Sequence, residues 1–173
     1  TKKILSEHEK MANKDKETYE EFYAQYGRVL TEGVYGDFTN KDQILELIRF
    51  KSSTREGLVS LAQYKEAMKE GQKAIYTITG QNEKVLRNSP LLEQYTAEGI
   101  EVLILDAEID EIVFSGVTTY KETPWETVGR KSKDEDKSVD DATKEKLAPT
   151  VVKIKTILGD AVKDVAASTR LTN

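Results

Sequence analysis

The sequence predicts a mixed α/β chain. It reads as a helical connector, then a small α-β-α sandwich subdomain with a βαβ unit, then a charged linker and the helix-strand start of a truncated domain. Three observations predict this. Apolar residues recur at helical spacing through the first seventy positions. Two β-rich runs, Ala74–Thr79 and Ile100–Leu105, flank a helical stretch. The run RKSKDEDKSVDDATKEK at 130–146 then carries mixed charge and almost no apolar content. The expected divisions are 1–71 for the connector, 72–130 for the subdomain, 131–146 for the linker and 147–173 for the truncated domain.

The connector opens with a helix over residues 1–30. Tyr19, Phe22, Tyr23 and Tyr26 fall at i, i+3, i+4 and i+7 and form an aromatic stripe, expected to face the core. Their neighbours Glu17, Glu20 and Glu21 do not suit a platform for stacking bases. Residues 33–38 are expected to break this helix. Thr39 can cap the next one, with Asp42 three residues on, and Ile44, Leu45, Leu47 and Ile48 give it a buried side. Residues 51–57 read as a polar loop. Ser60 with Gln63 makes a capping box for a helix carrying Leu61, Tyr64 and Met68, and Gly71 is its expected stop.

The subdomain begins at QKAIYTITG, residues 72–80: a strand introduced by Gln-Lys and closed by Thr-Gly. Ser89-Pro90 is an N-cap followed by proline at the first helical position, Leu91, Leu92 and Tyr95 supply an apolar face, and Gly99 is the stop. Strand, helix and strand in this order suggest a parallel crossover. Residues 109–117 are open to two readings: Ile112, Val113 and Phe114 have strand propensity, yet their spacing also permits a helix. Pro124–Val128 reads as a short edge strand. Beyond the charged run, Val151 to Leu158 forms an amphipathic helix ending at Gly159, and Val162–Leu171 reads as a strand. Thr1 stands first rather than Met, so the chain is expected to be a piece of something longer.

Composition excludes several function classes. A net charge of −5 and a pI near 5.2 lack the basic footprint of a nucleic-acid binder. No apolar run has the length of a membrane span. With no Cys, neither disulfides nor thiolate metal sites are possible, and a cytoplasmic location fits. The single histidine, His8, sits in a charged run and reads as a surface residue rather than a general base. Asp134-Glu135-Asp136 and Asp140-Asp141 lack EF-hand spacing. Neither phosphate-binding glycine motif occurs. Thr79-Gly80-Gln81-Asn82 lies at the carboxyl end of the 73–79 strand, where α/β proteins bind ligands. A small ligand-binding or enzyme domain using that loop is therefore the alternative reading.

The framed strand is part of a larger pattern. Ser60-Leu61, Tyr64, Met68-Lys69, Gln72-Lys73, Ile75-Tyr76 and Ile78-Thr79-Gly80 resemble the middle segment of the heat-shock protein 90 chaperones of bacterial type. Glu21-Phe22-Tyr23 and Leu45–Phe50 resemble its helical connector. Ser89–Glu93, Gly99–Leu103 and Ile109-Asp110-Glu111 follow in the family's order. Ile157–Asp160, Val162, Val165, Ser168 and Arg170-Leu171 resemble the opening of its C-terminal dimerisation domain. Three positions depart: Ala67 stands for an arginine, Thr77 for a tyrosine and Ile112 for an aromatic.

The resemblance implies a parent protein that binds ATP and Mg in an N-terminal domain outside this chain, and a fragment with no cofactor or catalytic residue of its own. Neither Arg28 nor Arg49 takes the role of the family's phosphate-reaching arginine, which lies upstream. It further implies unfolded or partly folded client proteins, co-chaperones and other domains of the same chain as partners. The parent would be a homodimer and the fragment a monomer. Carried over by position, the client contact points to Glu111, Ile112 and Ser115, with Phe114 and Trp125 as neighbouring apolar candidates. For Ile112, Phe114 and Trp125 a role in core packing stays open.

Overall fold

The computed structural model describes residues 2–129, 141–163 and 165. The chain divides into two compact units, 1–129 and 130–173.

The first unit opens with α1 (Lys2–Lys14) and α2 (Lys16–Gly36). The single helix expected over 1–30 is thus two. Asp15 interrupts it, because its carboxylate accepts from both the backbone N–H of Thr18, at 3.1 Å, and the Thr18 hydroxyl, at 2.7 Å. The following helix, α3 (Lys41–Leu47), packs against both. Tyr19 is fully buried and its hydroxyl donates to the Leu47 carbonyl at 2.7 Å. Arg49 lies 4.6 Å over the Tyr19 ring and donates to the carbonyls of Glu46, Leu47 and Ile48, closing the carboxyl end of α3.

The aromatic stripe is core-facing only in part. Tyr26 is 53% exposed and stacks on Phe22, which in turn packs against His8. His8 is half-buried rather than a free surface residue, and its Nδ1 is buried without a hydrogen-bond partner. Nor does α2 break at Gly33. It continues to Gly36, and bare Gly33 lets α3 approach: a Cβ there would lie 3.3 Å from Ile44 Cδ1. The cap of α3 is Asn40, not Thr39, and its own amide is drawn back to Asp37.

A six-stranded sheet follows, built from β1 (Phe50–Ser52), β2 (Leu58–Val59), β3 (Ile75–Thr79), β4 (Val102–Leu105), β5 (Thr119–Tyr120) and β6 (Thr123–Thr127). The order is β2-β1-β4-β3-β6-β5. β3 and β4 are parallel, pairing Tyr76 with Val102 and Thr79 with Leu105. The crossover between them contains α5 (Glu83–Arg87), a 3₁₀ turn at Pro90–Leu92 and α6 (Glu93–Ala97). β6 is also parallel to β3, and an antiparallel hairpin closes each side of the sheet.

Two cores make this a three-layer sandwich. Ile75, Leu103 and Leu105 face the layer of α1–α3, α4 (Leu61–Glu66) and α7 (Asp110–Ser115). Ile78, Val102 and Ile104 face Leu86 and Leu92 of the crossover. Alternate residues of β4 therefore enter opposite cores, so the strand is buried at every position.

The frame around β3 has a structural explanation. The Gln72 side chain donates to the Tyr64 hydroxyl at 3.0 Å and to the Ala74 carbonyl at 2.8 Å, tying the end of α4 to the start of the strand. At the other end, a Cβ on Gly80 would fall 2.9 Å from Leu86 Cδ2, so glycine lets α5 close on the sheet.

Three further expectations change, and one open reading is decided. The supposed polar loop at 51–57 holds most of β1, whose antiparallel partners are β2 and β4. α4 ends at Glu66, and Gly71, at φ +82°, serves the turn after it. Of the 109–117 segment, Asp110–Ser115 is helical as α7. β6 is not an edge, because β5 covers its outer side. The Ser60–Gln63 capping box forms as expected.

The second unit contains α8 (Asp141–Leu158) and a 3₁₀ turn at Gly159–Ala161. Residues 141–146 of the expected linker are therefore helical, and 131–140 lie outside the described residues. α8 leaves Val152, Ile154 and Ile157 exposed, and Pro149 removes one rung of its hydrogen-bond ladder. The strand expected over 162–171 falls largely outside the described residues; Val162, Lys163 and Val165 carry none.

Candidate functional site

α7 is two-faced. Val113 and Phe114 point into the core, while Glu111, Ile112 and Ser115 stand on the outside, with Ile112 62% exposed. The helix is firmly seated. Phe114 stacks on Trp125 at 5.5 Å with the rings 6° from parallel, and Phe50 packs against both. At its start the Asp110 carboxylate accepts the Ala107 N–H at 3.0 Å. Past its end, Lys41 Nζ donates to the Gly116 carbonyl at 2.9 Å, and Ser115 Oγ donates to the Ile112 carbonyl at 2.8 Å.

Of the five residues singled out from the sequence, three share the outer face of α7. Phe114 does not: it is buried in the aromatic cluster, so it supports the surface from beneath. Trp125 is half-buried in the same cluster.

Two hollows flank this region. A hollow of 280 Å³ lies at the carboxyl ends of β3 and β4, lined by Thr79, Gly80, Gln81, Leu105, Ala107, Glu108 and Glu111. A cleft of 480 Å³ opens between α2 and the β1–β4–α7 region. Tyr23, Gly27, Arg28 and Thr31 line it from α2, and Asp110 and Phe114 from α7. Gly27 is needed because the Tyr23 ring lies across it, 2.8 Å from where a Cβ would stand.

Charge in this part of the molecule is largely paired. Lys51 bonds Asp106 at 2.7 Å and Glu83 at 3.0 Å, and Glu83 also holds Arg87 at 2.8 Å. Burial works against the Lys51 charge, but its two carboxylate partners outweigh it and hold the ammonium above the usual lysine range. On the far side of β4, Glu101 is buried and takes hydrogen bonds from Ser52 and from Arg55, the latter at 2.6 Å. Burial raises the Asp110 carboxyl and the Tyr23 hydroxyl above their ordinary values.

Sequence reasoning treated Tyr64 only as an apolar helix residue and missed the Glu101–Ser52–Arg55 group. The glutamate embedded in Ile100–Leu105 was the available signal, because a charge inside a fully buried strand requires a partner. Among the described residues no group of His, Asp or Glu is arranged to hold a metal, and no helix is long and apolar enough to cross a membrane.

The family model described as "Hsp90 protein" matches residues 1–173. The chain belongs to the Hsp90 family. It is 51% identical over 180 residues to chaperone protein HtpG of Aliarcobacter butzleri, covering 98% of this chain and 28% of that protein. With HtpG of Wolinella succinogenes the identity is 46% over 175 residues, covering 99% and 28%. The chain thus spans little more than a quarter of the length of these relatives. Among solved structures, the middle domain of a Plasmodium falciparum heat shock protein matches with a TM-score of 0.71 and 32% identity, over 75% of this chain and 55% of that one. The mixed sheet with helices on both faces is therefore a fold this Hsp90 chain shares with that middle domain.

Proposed function

We propose that this chain is a client-binding and domain-coupling part of an Hsp90-type chaperone. One observation carries the reading: Ile112, 62% exposed, stands between Glu111 and Ser115 on a helix whose other face is fixed by the Phe114–Trp125 stack. An apolar side chain held out on a rigid support suits segments of unfolded protein, whose own apolar groups gain by burial against it. Glu111 and Ser115 add polar contacts at the rim.

In this reading residues 1–71 are the helical connector of the middle domain and 72–130 its small α/β subdomain. Residues 131–146 are a linker and 147–173 open the dimerisation domain. ATP and Mg belong to the parent's N-terminal domain, and the chain itself carries out no hydrolysis. Co-chaperones, the other domains and a second parent subunit are its further partners, in a cytoplasmic setting.

The test is an NMR titration of the ¹⁵N-labelled chain with a soluble, permanently unfolded protein. Shifts centred on residues 108–128, weakened in Ile112→Asp, are expected. Absence of shifts at high client concentration would overturn the client-binding reading. A second reading rests on the 280 Å³ hollow after β3, whose place at the carboxyl ends of parallel strands suits a small ligand. Shifts confined to Thr79–Gln81 with a small molecule, and none with the unfolded protein, would favour it.

A further inference from the structure

The 480 Å³ cleft between α2 and α7 has the size and composition of a small-molecule site. Ile48, Leu58, Ile109 and Phe114 give it apolar walls, and the Tyr23 ring lies along its α2 side. Its cations are committed elsewhere. Arg28 pairs with Glu32 at 3.2 Å, Lys51 with Asp106 and Glu83, and Arg49 with the end of α3 and the Tyr19 ring.

Asp110 is different. Its carboxylate is half-buried in the cleft wall and accepts one backbone N–H; Lys51 and Asp106 act on it from nearby with opposite sign, but among the described residues no cation pairs with it directly. A carboxylate beside apolar walls gains from a cation that brings its own apolar body, because such a group replaces lost hydration without exposing the walls.

We propose that this cleft binds a flat amidinium or guanidinium group on an apolar body, the head pairing with Asp110 and the body lying between Tyr23 and Phe114. The chemistry is shared by small aryl amidines and by an arginine side chain of a bound peptide. Burial raises the Asp110 carboxyl above its ordinary value, and a cationic head beside it would act in the opposite direction. The site is separate from the outer face of α7 and does not depend on client binding there.

Benzamidine is the probe, titrated into the ¹⁵N-labelled chain. Saturable shifts at Gly27, Arg28, Thr31, Ile109 and Asp110 are expected. Benzyl alcohol, which keeps the ring and loses the charge, should give none. Asp110→Asn keeps the oxygen that accepts the Ala107 N–H and should weaken benzamidine about tenfold or more. A blocking variant, Leu58→Trp, should abolish binding with the rest of the spectrum intact, and serves if the first variant misfolds. An arginine-containing peptide against its citrulline counterpart separates the peptide source from the small molecule. No saturable shifts, equal shifts with benzyl alcohol, equal affinity in Asp110→Asn, or shifts at Thr79–Gln81 instead would each overturn the proposal.

Discussion

The Tyr64 hydroxyl donates a 2.7 Å hydrogen bond to the Glu101 carbonyl, joining α4 to the residue that precedes β4. The same oxygen accepts the Tyr76 N–H and the Gln72 Nε2–H, each at 3.0 Å. One donor and two acceptor positions are all a phenol offers, and all are used.

Tyr64→Phe keeps the packed ring and removes only that oxygen. Buried polar groups on β3 and beside β4 then lose their partner, at about 1–3 kcal/mol for each left unsatisfied. The expected loss is roughly 2–4 kcal/mol, read as a lower urea midpoint with an unchanged slope. A loss below ~1 kcal/mol would mean that water replaces the hydroxyl.

Burial pushes the hydroxyls of Tyr19, Tyr64 and Tyr120 up to about 12, from an ordinary value of 10.0. The folded state therefore keeps protons that the unfolded state releases. Stability is fully present below pH 10 and falls as pH rises from 10 through 12. Urea unfolding across that range should show a steeper alkaline loss in wild type than in Tyr64→Phe.

Ile112 and Phe114 sit two residues apart on α7 and face opposite ways. Ile112→Asp should change stability by no more than about 0.5 kcal/mol yet weaken binding of an unfolded client by the parent protein. Phe114→Ala should cost about 3–5 kcal/mol, because it empties a stacked site in the core. Fluorescence anisotropy with a labelled client, beside thermal melts, separates the two. A large stability loss in Ile112→Asp would show that the residue is structural.

The β5–β6 turn places Lys121 at φ 44° and Glu122 at φ 67°, a left-handed region that glycine occupies without strain. Lys121 is occupied by an ion pair to Glu46 at 2.7 Å, so Glu122 is the position to change. Glu122→Gly should raise stability by up to about 1 kcal/mol, the relief of strain exceeding glycine's extra unfolded-state entropy. A lower Tm in the variant would refute this.

Much of the fold is legible in the sequence where the cause is local. The Ser60–Gln63 box, the Ser89-Pro90 start and the left-handed Gly99 each act within a few residues. The crossover is legible because β3 and β4 are apolar runs separated by a helical stretch. β1, β2 and β5 were missed: two or three residues cannot show an alternation, and their strand character comes from partners distant in sequence. The candidate surface was legible only as a set of residue types. Ile112 and Phe114 carry the same apolar label, and only tertiary packing against Phe50 and Trp125 decides which of them turns inward.

By itself, the sequence determined the family, through ordered motifs running from Glu21 to Leu171, and the order of the main helices and the two central strands. It also determined that no cysteine chemistry is available. Only the tertiary structure decided the helical state of α7, the covered position of β6, the outward aim of Ile112 and the cleft that Asp110 enters. Those features arise from close packing between segments far apart in the chain, where each side chain's direction is set by neighbours that local propensity does not contain.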